Sequence, residues 1–134
     1  MEQKRYGFGK RVALDYEQAV ERIRQALQQE GFGVLTEIDV RKVMHEKRGV
    51  EFRPYVILGA CNPQFAHQAL EAELDLGLLL PCNVVVYAEE DGSVIEAMDP
   101  ELLVQVVGNP ALEPIAKEVK QRLQRAIAQA AAGA

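Results

Sequence analysis

Cysteine is scarce in this chain: two residues in 134, Cys61 and Cys82. Two thiols cannot build a disulfide scaffold. Met1 to Arg11 is charged and has no apolar h-region, so the expected setting is a reducing, cytoplasmic one. Long hydrophobic runs are also lacking. The most apolar stretch, Leu74 to Ala88, is shorter than the ~20 residues of a membrane span and is interrupted by Asp75, Pro81 and Asn83. No membrane partner is expected. Nor is there a basic excess: 15 Lys and Arg stand against 20 Asp and Glu, a net charge of −5 and a pI of about 5.1. That balance argues against a nucleic-acid partner. Arg41, Lys42, Lys47 and Arg48 are interrupted by Glu46 and read as a solvated helix face. Repeats, linkers and phosphate-loop, nucleophile-elbow or dinucleotide motifs are absent. Gly7-Phe8-Gly9 and Gly31-Phe32-Gly33 lack the strand-to-helix setting of a phosphate loop and read as turn and strand glycines.

What is present suffices for one packed core. Hydrophobic residues make up 49% and charged residues 26%, and the chain has the length of one domain, 1–134. Residues 4–12 alternate as a first strand. Asp15 opens a helix with the stripe Tyr16, Ala19, Val20, Ile23, Ala26 and Leu27, and Gly31 is placed to stop it. Residues 32–38 read as a strand. Asp39 caps a short helix to about Arg48, ended by Gly49, with Val40, Val43 and Met44 expected inward. Residues 52–60 form the next strand. Asn62-Pro63 predicts a helix to about Leu74, with Asn62 as the cap. The unbroken apolarity of 77–87 predicts a strand buried on both faces, broken or bulged at Pro81. Asp91-Gly92 predicts a hairpin turn into a strand over 93–98. Helical turns open at Asp99-Pro100 and Asn109-Pro110. A last helix begins near Pro110 or Pro114, with Ile115, Ala116, Val119, Leu123 and Ile127 as its stripe. The alanine-rich end, 130–134, is expected to fray. The order β-α-β-α-β-α-β-β-α predicts an α+β fold: a two-layer α/β sandwich with a mixed sheet of about five strands and helices on one face.

Three segments, GFGVLTEIDV (31–40), FRPYVILGACNP (52–63) and GLLLPCNVVVY (77–87), carry a family resemblance in their order and spacing. Over roughly residues 5–125 the chain resembles the bacterial and archaeal domain-of-unknown-function family 302. The resemblance implies a compact α+β domain, usually alone in a prokaryotic chain, and dimeric. It implies no reaction, substrate or catalytic residue. The apolar excess of LLLPCNVVVY points to a homodimer as well.

The feature most suggestive of chemistry is a doubled dipeptide, Cys61-Asn62 and Cys82-Asn83. Cys61 directly precedes a helix start, where amides and the helix dipole favour an anion, so its thiol pKa is expected to fall. Cys82, among leucines and valines, is expected to rise. His67, on the second turn of the same helix, is a candidate partner for Cys61, or a surface histidine; His45 reads as solvent-facing. Cys61, Cys82 and His67 are the candidate metal ligands, and Cys61, Asn62, Cys82, Asn83 and His67 the candidate ligand-binding residues. The spacing matches no established metal motif, and no cofactor is named by the pattern. The bland alternative is that both thiols are inert core residues. Three functions remain open: a small-ligand or metal-ion binding module using the Cys61/Cys82 region, a thiol-dependent enzyme with Cys61 as nucleophile or redox centre, and a non-enzymatic dimeric interaction protein. Whether the chain is an enzyme stays open at this point.

Overall fold

The computed structural model describes residues 1–132, and most of its element boundaries follow from local chemistry. Strands β1 (Glu2–Gln3) and β2 (Gly7–Val12) come first. Asp15 caps helix α1 (Tyr16–Gln29), its Oδ1 accepting from the Gln18 amide at 2.8 Å. Gly31, at φ 88°, closes that helix: its N–H donates to Gln28 O and that of Phe32 to Leu27 O, which satisfies two end carbonyls. After β3 (Gly33–Asp39), the Asp39 carboxylate accepts from the Lys42 amide and opens α2 (Val40–Arg48), which Gly49 ends at φ 62°. There follow β4 (Tyr55–Cys61), α3 (Pro63–Ala72), a 3₁₀ segment (Leu74–Leu79), β5 (Cys82–Glu89), β6 (Gly92–Met98), α4 (Glu101–Val107), a 3₁₀ turn (Pro110–Leu112) and α5 (Glu113–Ala132). Ala130 is buried inside α5, so the helix holds further than the expected fraying; residues 133 and 134 lie outside the described residues.

The α+β class stands, but the sheet differs from the expected one. It has six strands in the order β1-β2-β6-β5-β4-β3, and every neighbouring pair is antiparallel. A mixed sheet would follow if each intervening helix carried the chain into a parallel neighbour. Here α2 and α3 each join antiparallel neighbours, so they act as long hairpin insertions. Helix α1 is the connection that spans the sheet, carrying the chain from β2 to the far edge at β3.

Alternation along the strands separates two faces. Phe8, Val56, Leu58, Val84, Val86, Ile95 and Ala97 are buried under α1 and α5, joined by Ile23, Leu27, Leu123 and Ile127 from those helices. On the other face Ile57, Val85 and Tyr87 are only half-buried. Helices therefore cover one face, and β5 is not the doubly buried strand expected over 77–87. Residues 77–79 belong to the 3₁₀ segment, the strand starts only after Pro81, and Leu78 is 88% exposed. An apolar run of this length is equally compatible with a turn that lays its leucines over a neighbouring cluster. The hairpin also shifts by one residue. Glu89 pairs with Gly92, so the turn is Glu90-Asp91, with Glu90 at φ 51°. Gly92 is needed for a different reason: a Cβ there would sit 2.3 Å from Val12 O on the adjoining strand.

Helix α2 departs from expectation too. Val40 and Met44 face inward as expected but are only half-buried, and Val43 is 41% exposed. No helix of the described residues is long and apolar enough to cross a membrane.

Candidate apolar ligand site

The Cys61 end of β4, the Cys82 start of β5 and the first turn of α3 converge at one end of the sheet. Below them lies a second apolar cluster, Ala69, Leu76, Leu103 and Leu112, with Leu70, Leu80 and Ile115 packed against it. The two groups do not close on each other. Between them is a cavity of about 300 Å³. Its walls are leucines, alanines, Phe32, Phe65, Pro81 and Pro100, together with Cys61, Asn62 and Cys82, and among the described residues no charged side chain lines it. Ile115, Ala116 and Val119 of α5 form the wall opposite the sheet. All three belong to the apolar stripe read from the sequence; helical spacing does not reveal that the stripe faces a void at one end.

Asn62 is the one strongly polar side chain in this described lining, and it is 8% exposed. It occupies the cap position of α3, yet its side chain makes no cap hydrogen bond. Its Nδ2 instead donates to the backbone carbonyl of Glu30, 3.4 Å away and 32 residues back in the chain. The same carbonyl accepts from Arg122 Nη1 at 3.1 Å. Gly31 makes room for this arrangement: a Cβ at that position would lie 3.0 Å from Asn62 Nδ2. Arg122 in turn lies over the Phe65 ring, 5.1 Å from its centroid. The end of α1, the start of α3 and the middle of α5 are thereby tied together beside the cavity.

The two thiols sit one residue out of step. Ala60 pairs with Cys82, and Cys61 follows Ala60, so alternation sends the two side chains to opposite sides of the sheet at its end. Both nevertheless border the cavity, and neither is part of a disulfide. Burial pushes the Cys82 thiol up to about 11, with a smaller contribution from the neighbouring Cys61. Cys61 was expected to fall and instead rises, because burial acts on its thiol. The sulfur belongs to the residue before the cap, one position short of the α3 amides. His67 does not compensate: it is exposed, with Nε2 2.7 Å from Glu71 Oε1 on the next turn of α3. Asn83, exposed on the uncovered face, also lies away from the cavity. Of the five candidate residues, the structure brings together Cys61, Asn62 and Cys82. It does not gather Cys61, Cys82 and His67 as metal ligands; among the described residues no group of three or more His, Cys, Asp or Glu could hold a metal ion.

The model of the family described as domain of unknown function DUF302 matches residues 8–130. The chain belongs to the DUF302 family. That match takes in all of the elements that build the cavity. A crystal structure of an uncharacterized conserved DUF302 protein from Bacillus stearothermophilus is similar to this chain at 36% sequence identity and a TM-score of 0.88, covering 95% of this chain and 99% of that one. No curated protein matches it.

Proposed function

We propose that this DUF302 protein is a small-ligand binding module whose site is the cavity at the Cys61/Cys82 end of the sheet. The observation that carries this reading is the cavity itself: about 300 Å³, walled almost wholly by apolar side chains, with one buried amide. That volume is at the small end of the range for ligand pockets, and an apolar wall with few fixed polar groups is their usual chemistry. A folded core left to pack for stability alone leaves few voids larger than a water molecule. Both thiols have raised pKa values, so at neutral pH they act as soft apolar wall atoms. This favours binding over the thiol-enzyme alternative, which needs a thiolate.

The test uses N-phenyl-1-naphthylamine, an uncharged fluorophore that brightens in apolar surroundings. A saturable rise in fluorescence is expected with the wild-type protein. It should be lost in Ala66→Trp, which fills the cavity from α3, while the circular dichroism spectrum stays unchanged. A non-saturable rise, or the same binding curve in Ala66→Trp, would overturn the reading.

The partner we propose is a second copy of this chain. Ile38, Val43, Val50 and Phe52 form an exposed apolar corner around α2 and the free edge of β3. A nine-residue helix with no fully buried residue is held only by half-buried Val40 and Met44 and is marginal by itself. The free edge of β3 beside this corner carries unpaired backbone donors and acceptors that a second copy would pair across a two-fold axis. Sedimentation equilibrium should give a dimer at micromolar concentration and a monomer for Val43→Glu. A wild-type monomer would defeat the proposal.

A further inference from the structure

We infer that the cavity selects an uncharged, largely apolar molecule carrying one hydrogen-bond donor, such as an aliphatic alcohol, and that Asn62 Oδ1 receives that donor. This rests on the cavity being a ligand site, and it adds the chemical class. The orientation of the Asn62 amide comes first. Glu30 O is an acceptor only, so the arm of the amide that faces it must be the NH₂. The oxygen is therefore the arm left over. It takes no part in capping α3, and it is neither hydrogen-bonded within the described residues nor sealed off by protein atoms. A carboxamide that is 8% exposed, with its NH₂ turned to Glu30 O, thus presents at the cavity wall an acceptor that has no protein partner among the described residues and is open to a ligand. What completes it is a donor.

Two further features narrow the class. No cation among the described residues lines the cavity, and an ionised carboxylate taken into such a wall loses its hydration without a counter-charge. The nearby guanidinium of Arg122 is not part of the lining: its Nη1 donates to Glu30 O, it lies over the Phe65 ring, and its Nε, without a hydrogen bond, is 3.7 Å from the Glu118 carboxylate that balances its charge. A molecule offering only acceptors would bring a lone pair against the Oδ1 lone pairs. A hydroxyl or amide N–H at one end of an apolar body fits both constraints.

The test compares isomers. 1-Octanol and heptyl methyl ether have the same atoms and nearly the same shape, but only the alcohol donates. Calorimetric titration of the wild-type protein should show the alcohol binding about threefold to tenfold more tightly, the worth of one neutral hydrogen bond. Octanoate at pH 8 should bind more weakly than either. In Asn62→Leu the alcohol's advantage over the ether should disappear, and because both ligands are measured on the same variant, a general loosening of the fold cancels. Equal binding of alcohol and ether to the wild type would overturn this inference and leave the cavity reading intact. So would tighter binding of octanoate. If none of the three binds and the fluorophore fails as well, the cavity reading itself falls.

Discussion

The dipeptide Cys-Asn occurs twice at the same end of the sheet, and its two copies have opposite environments. In Cys61-Asn62 the thiol is half-buried and the asparagine is 8% exposed; in Cys82-Asn83 the thiol is 7% exposed and the asparagine faces solvent. The difference comes from direction. Cys82-Asn83 enters a strand, so alternation places Cys82 with Val84 and Val86 under the helices and turns Asn83 to the uncovered face. Cys61-Asn62 leaves a strand. Asn62 has passed out of the ladder and turned inward to the carbonyl that ends α1. Identical residues thus become a core thiol with a surface amide in one place, and a cavity-wall thiol with a buried amide in the other.

The sharpest way to break this contrast is chemical labelling. Cys61 should react with iodoacetamide from the native state at pH 8, though more slowly than an unfolded thiol, because burial has raised its pKa. Cys82, pushed up from 9.0 to about 11, offers on the order of a hundredfold less thiolate than an unshifted thiol, and the reagent reaches it only through opening of the fold. Peptide mapping over time should therefore show Cys61 labelled well ahead of Cys82, by on the order of tenfold or more. Equal rates would mean that the two sites are not distinct.

A second test reads the same burial through stability. The Cys82 pKa is higher folded than unfolded, so its contribution is fully present below the unfolded value and lost as pH rises through the folded one. Between pH 9 and 11 the unfolded thiol ionises first, and stability should fall by about 2–3 kcal/mol. Tyr16, Tyr55, Tyr87, Lys4 and Lys120 are raised as well and add to the fall in this region, so the Cys82 share is read as a difference. In urea denaturation the decline of Cys82→Ala should be smaller than that of wild type by about 2 kcal/mol, and that of Cys61→Ala should differ less. A slope unchanged in Cys82→Ala would assign the pH dependence to other groups.

How far these environments were legible in the sequence depends on the distance over which they are decided. Asp15 with Gly31 and Asp39 with Gly49 marked two helices correctly, because a cap and a left-handed residue act within a few positions of the helix end. The Glu90-Asp91 turn was missed by one residue: Gly92 is required by β2 passing beside it, a contact remote in the chain. The strand expected from Gly77 onward failed for lack of a local signal. Leu78 to Leu80 reads as strand in isolation, and nothing within the run separates a short apolar strand from a 3₁₀ segment. The cavity was legible only in part. Cys61, Asn62 and Cys82 stood out as a pattern, but the void depends on α5 and the 3₁₀ segment failing to close over them, and Asn62 looked like a simple cap because Glu30 is remote in sequence.

The smallest expected effect separates the two asparagines themselves. Asn62→Ala removes one of the two donors to Glu30 O and leaves Arg122 as the other, so the carbonyl is weakened but not orphaned. The loss should be about 1 kcal/mol, the net worth of a neutral hydrogen bond. Asn83→Ala touches an exposed position on the uncovered face and should stay within about 0.5 kcal/mol of wild type. Because Asn62 and Arg122 share one acceptor, Asn62→Ala and Arg122→Met should also be non-additive, with a coupling of about 0.5–1 kcal/mol in urea denaturation. Additive losses, or an Asn83→Ala variant as costly as Asn62→Ala, would show that the buried amide does not hold α1, α3 and α5 together, and that the two Cys-Asn pairs differ in exposure alone.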